Sequence, residues 1–287
     1  MTYCFRRPES SAQRAAGARG QRFSGALRCA ALLLAVMVPA SAFAHDTWLL
    51  PAQYRVRPGE PVVLELTSAM RFPEPETPVK PERLAATGLR LGGSTHPLQP
   101  GQPAARVLRL SAAAAVAGIA TVWVESRPRD IDLKPDEVEH YLAEAGASDV
   151  RELWAKNGRG PWRETYVKLA KSFVRVGEPG DDHSWTEPVG LALEIVPEAD
   201  PTSLTPARPL RLRVLEDGGP AAGLAVAAVA AGEAEPIVRT TDSDGRATFS
   251  LSRPGQWLIK AIRIRPGEAP GTWRSRFATL TVSVGGR

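Results

Sequence analysis

The run Trp257-Leu258-Ile259-Lys260-Ala261-Ile262-Arg263-Ile264-Arg265 decides the fold class of this chain. It is rich in β-branched residues, alternates apolar with charged residues over its second half, and follows Pro254-Gly255, which keeps any helix from running into it. A strand is the reading. Working outward, residues 210–215, 224–230, 237–240, 246–251 and 277–284 have the same character, with Asp217-Gly218-Gly219-Pro220 and Asp244-Gly245 supplying turns between them. Strands at this spacing predict a β-sandwich of the immunoglobulin or transthyretin type.

Toward the N-terminus, residues 47–50, 62–67, 106–111, 119–125 and 189–196 repeat the pattern, so the chain is expected to be mainly β, with two such sandwich domains. Pro73, Pro75, Pro78 and Pro81 make 73–83 an extended surface loop. The period changes in the middle of this half. Pro135 opens a helix in which Val138, Tyr141 and Leu142 share one face and which Gly146 ends. Ser148 is expected to cap a second helix that buries Val150, Leu153 and Trp154 and stops near Asn157-Gly158. Residues 162–176 read as helix-like through Tyr166, Leu169, Ala170 and Phe173, then as strand up to Val176. Glu198-Ala199-Asp200-Pro201, with Pro206 and Pro209, reads as a stiff polar connector. It sets the expected domains at 45–198, with the helical insertion, and 199–287.

Ahead of His45 lies a leader. Arg6, Arg7, Arg14, Arg19, Arg22 and Arg28 form a basic stretch, residues 30–38 an apolar core too short to span a bilayer, and Ala42-Phe43-Ala44 a cleavage site. Residues 1–44 are therefore expected to be a signal peptide, and the mature chain to be periplasmic and to begin at His45. Six of the 36 Lys and Arg residues and one of the 31 acids fall in the leader, which leaves 30 of each in the remainder. That balance argues against nucleic acid or an anionic membrane surface as partner. Cys4 and Cys29 both lie in the leader, so the mature chain offers neither a disulfide nor a thiolate. Its apolar runs are too short for insertion into a membrane.

A terminal histidine presents its α-amine and its imidazole to one metal ion. The partner expected for it is His183, in the polar run Asp181-Asp182-His183, so that His45, His183, Asp181 and Asp46 form the candidate ligand set. Two imidazoles, an amine and carboxylates suit a divalent late first-row ion, Ni, Co or Cu, and Met70 is the one thioether outside the leader. Each candidate has a plainer reading. His183 also reads as a solvated loop residue, His140 as the polar face of a helix, and His96, before Pro97, as an inert loop residue. Asp242 and Asp244 lack the further ligands of a calcium loop and suit a tight turn, while Trp48 and Trp257 sit in apolar runs and suit a core better than a sugar platform. There is no nucleophile elbow, no HExxH, no glycine-rich phosphate loop and no cysteine nucleophile, so no enzyme is expected.

Several separated motifs carry a family resemblance. His45-Asp46-Thr47-Trp48-Leu49-Leu50-Pro51, Arg163-Glu164-Thr165-Tyr166, Val174-Arg175-Val176-Gly177, Pro188 to Pro197, Arg239 to Arg246 and Pro254-Gly255-Gln256-Trp257 together resemble a bacterial periplasmic family of unknown function. That family is also described as the periplasmic component of cobalt and nickel uptake transporters. The resemblance implies a periplasmic protein that binds nickel or cobalt and assists uptake by an inner-membrane transporter. A metal-free ligand-binding or protein-interaction module is the alternative. A copper-dependent or carbohydrate-active enzyme is a third, because a terminal histidine also occurs in copper-dependent polysaccharide monooxygenases and carboxylates are plentiful.

Overall fold

Residues 45–285 are described by the computed structural model, and the expected leader lies outside the described residues. Apolar, β-branched runs form strands: β1 (Asp46–Pro51), β2 (Pro61–Ala69), β3 (Leu84–Leu91), β4 (Leu108–Ala113), β5 (Gly118–Ser126) and β6 (Arg129–Leu133). Two helices follow, α1 (Pro135–Glu144) and α2 (Ser148–Lys156). The chain continues through β7 (Trp162–Val176), β8 (Leu193–Pro197), β9 (Leu210–Glu216), β10 (Ala225–Ala230), β11 (Ile237–Thr240), β12 (Arg246–Phe249), β13 (Gly255–Pro266) and β14 (Thr272–Val284).

These strands make layered sheets. A ten-stranded sheet runs β11-β10-β13-β14-β7-β5-β3 to the short strand Ser94–His96, and β7 carries β6 and Arg55–Val56 as further neighbours. One face of β7 presents Ala170, Val174 and Val176 to a five-stranded sheet containing β1, β2 and β4, where Leu49, Leu64, Leu66 and Leu110 complete the core. The opposite face presents Leu169 and Phe173 to the sheet of β8, β9 and β12, with Leu193, Ile195, Leu212 and Phe249. The long sheet is thus the middle of a sandwich covered on both sides. The two helices pack on Trp162, Ile264 and Trp273. Trp162 has the same strand parity as Ala170, so the helices cover the stretch of that face which the five-stranded sheet leaves open.

Four sequence expectations change. Residues 162–176 form one strand of 15 residues without a helical turn. The helical reading fails because β7 is buried on both faces from Leu169 to Val174, which erases the alternation that marks a half-buried strand, and because Glu164 puts a charged residue on the buried side earlier in the strand. Second, Ser148 is the first residue of α2 rather than its cap, and Leu153 is 39% exposed, so α2 buries only Val150 and Trp154. Third, the proline-rich connector is fastened down. Asp200 accepts bonds from the Arg175 guanidinium at 2.7 Å and from the Thr202 hydroxyl at 2.6 Å, and Gly285 N donates to Leu204 O at 2.8 Å. Fourth, main-chain pairing crosses the expected boundary at 198/199. β8 pairs with β9 on its far side, and β7 runs parallel to β14 from Arg163↔Thr272 to Ser172↔Thr281.

Candidate functional site

β1 is an edge strand of its sheet, and an exposed edge offers unpaired carbonyls to other chains. Here they are satisfied by side chains of the central sheet. Lys168 Nζ donates to His45 O at 2.6 Å, Thr279 Oγ1 to Thr47 O at 2.7 Å and Thr281 Oγ1 to Leu49 O at 2.6 Å. The start of β1 is therefore pinned in the seam between the five-stranded sheet and α1.

Charged groups gather in that seam. His45 Nε2 lies 3.1 Å from Glu76 Oε2, and the other oxygen of Glu76 accepts Met70 N at 3.1 Å. Asp46 pairs with Lys260 at 2.8 Å, and Glu144, on the last turn of α1, lies 3.7 Å from the same ammonium. Burial works against the charge on Lys260, but Asp46 and Glu144 together overcome it and hold its pKa above the ordinary lysine value. Among the described residues, Lys168 has no carboxylate in hydrogen-bond contact. Burial lowers its pKa to about 8, helped by Arg129 and Arg83 and opposed by Asp46. The rings of Tyr166 and Phe277 flank its ammonium at 5.8 and 5.9 Å. A cavity of about 360 Å³, lined by Glu144, Lys260 and small residues of β10, opens beside the cluster.

The structure does not assemble the ligand set expected from the sequence. Asp46 is committed to Lys260. Asp181 and His183 are exposed and lie toward the other end of β7. Their neighbour Asp182 bonds Ile119 N at 3.3 Å, and Ile119 pairs with Arg175, seven residues along β7 from Lys168. At about 3.3 Å per residue that is roughly 23 Å of strand. Asp182 shapes its own loop by also accepting Ser184 N at 3.0 Å, and these bonds outweigh its burial and lower its pKa. Among the described residues, no group of three or more His, Cys, Asp or Glu side chains could hold one ion. His45 keeps Glu76 as its neighbour, and the ring's Nδ1 has no partner among the described residues.

The plainer readings hold at other positions. His140 is exposed on α1, and His96 is exposed in its short strand. Asp242 Oδ1 accepts the amides of Asp244 and Arg246, which makes Asp242 to Gly245 a tight turn. Trp48 and Trp257 are buried. Sequence reasoning missed Glu76, hidden in a proline-rich loop, and the two lysines. Lys260 did leave a signal, because it follows the apolar triplet Trp257-Leu258-Ile259.

A second polar cluster lies under the helices. Buried Glu164 accepts bonds from Tyr141 OH at 3.1 Å, Trp162 Nε1 at 2.7 Å and Ser275 Oγ. Trp162 stacks on Trp273 with centroids 4.2 Å apart. Burial raises the Glu164 pKa in spite of these donors.

Among solved structures, the chain is similar to a Salmonella alpha-2-macroglobulin mutant at 14% identity and a TM-score of 0.23, with 83% of this chain and 15% of that one covered. Trypsin-activated alpha-2-macroglobulin from Escherichia coli is similar at 12% identity and a TM-score of 0.21, with 85% and 16% covered. A DUF4785 family protein from Legionella pneumophila is similar at 9% identity and a TM-score of 0.22, with 74% and 52% covered. The chain spans only 15% and 16% of the two macroglobulins, and likenesses of this strength carry no argument about function. None of the curated proteins matches. The domain of unknown function DUF4198 matches residues 42–265, and the chain belongs to that family.

Proposed function

We propose that the chain is a periplasmic protein that binds one late first-row transition-metal ion at a mature N-terminus beginning with His45. The observation that carries this reading is the contact between His45 Nε2 and Glu76 Oε2 at 3.1 Å. A carboxylate on one ring nitrogen sets the tautomer and the ring plane and makes the other nitrogen the better donor. That other nitrogen, Nδ1, is the one that closes a six-membered chelate ring with the α-amine of the same residue. Lys168 holds the His45 carbonyl and Lys260 holds Asp46, so the two donors start from a fixed backbone. Glu76 thus acts as an orienting residue, while His183 and Asp181 have no part in this site.

The bound ion would be cargo. The resemblance to the periplasmic component of cobalt and nickel uptake supports delivery to an inner-membrane transporter as the role. The test compares the chain starting at His45 with one carrying a single additional residue before it, by titration with Ni(II), Co(II) and Cu(II). The additional residue is expected to weaken binding about a hundredfold, and Glu76→Gln about tenfold. Equal affinity in the two forms overturns the reading.

A further inference from the structure

We infer that the site also takes Cu(I), with the Met70 thioether as a donor beside the His45 chelate; the inference rests on the terminal metal site proposed above. Asp46 faces Ala69 and Thr47 faces Ser68 across the β1–β2 ladder. That ladder ends at the Asp46–Ala69 pair, and His45 and Met70 are the residues that flank it, one just before β1 and the other just after β2. Glu76 independently ties the two residues together, since one of its oxygens holds the His45 ring and the other the Met70 amide, each at 3.1 Å. The Met70 side chain is 55% exposed and belongs to no hydrophobic cluster, so no packing restrains its sulfur.

The donor set left over contains one soft atom. Asp46 is spent on Lys260, and both oxygens of Glu76 are engaged. What remains beside His45 is its amine, its Nδ1 and the Met70 thioether, two nitrogens and a sulfur. Imidazole suits copper and nickel alike, and the thioether is the donor that favours Cu(I).

The experiment uses the chain from His45 to its C-terminus, as parent, Met70→Leu and His45→Ala. Cu(I) is titrated in competition with a chromophoric chelator, Ni(II) is titrated in parallel, and the copper X-ray absorption edge is recorded. Because Met70 is exposed, Met70→Leu is expected to fold as the parent does. It should weaken Cu(I) binding about tenfold or more, change Ni(II) binding by less than about threefold, and remove a sulfur scatterer present in the parent. Unchanged Cu(I) affinity in Met70→Leu, or no sulfur scatterer in the parent, overturns the role of Met70. If His45→Ala binds both ions as the parent does, the terminal chelate itself is wrong, and this inference falls with it.

Discussion

Lys171 on β7 and Glu194 on β8 form an ion pair at 2.6 Å with side chains only 2% and 1% exposed. The Glu194 carboxylate also collects the amides of Val189, Gly190 and Leu191, so it folds the loop before β8 back over the central sheet. Burial lowers the Lys171 pKa against the pull of Glu194. The pair joins the central sheet to the sheet of β8 and β9 within the apolar layer that holds Leu169, Phe173, Leu193 and Ile195.

Lys171→Met should destabilise the protein by about 3–5 kcal/mol, because the carboxylate left behind is buried without its cation. The double variant Lys171→Met/Glu194→Gln should recover part of that loss, since the stranded charge is gone. Urea unfolding of the parent and the two variants measures both. A loss below about 1 kcal/mol in the single variant would mean that the pair is solvated in solution.

Glu164 gives a pH signature. Its native pKa is raised by burial, so its contribution to stability is complete below the unfolded value of about 4.3 and is lost as pH rises through the native value. Parent stability relative to Glu164→Gln should therefore fall with rising pH across that window, with a limiting slope of about 1.4 kcal/mol per pH unit. Denaturant midpoints at a series of pH values read the slope. Parallel profiles for the two proteins would show that Glu164 titrates normally.

The segment from Leu204 onward is expected to lack a cooperative melt when produced alone. In the whole chain β14 pairs with β7 over ten registered residue pairs, and β9 pairs with β8. Cutting at 204 strands both edges and uncovers the apolar residues they bury. Circular dichroism of the fragment decides: a sharp thermal transition with strand content would show that the C-terminal half is an independent domain.

Much of the fold is legible in local sequence. Gly146 adopts φ +62° and ends α1 where the helical pattern predicts. Gly245, at φ +74°, makes the turn after Asp244, and an added Cβ there would meet Val214 O at 2.5 Å. These features depend on the conformational freedom of one residue, which neighbours in sequence reveal. The candidate site is legible only in part. The expected leader singles out His45, but Glu76 lies 31 residues away in a loop that composition describes merely as polar and extended.

The sequence by itself determined the β class and the helical insertion, because strand period and helix period are properties of short windows. Only the tertiary structure decided that both halves share one central sheet, that 162–176 is strand throughout, and that His45 meets Glu76 rather than His183. The physical reason is that Lys171, Ser172 and Lys168 contradict a buried strand until their partners are known. Those partners are Glu194, Thr281 and the His45 carbonyl, between 23 and 123 residues distant, and no local pattern records a partner so far along the chain.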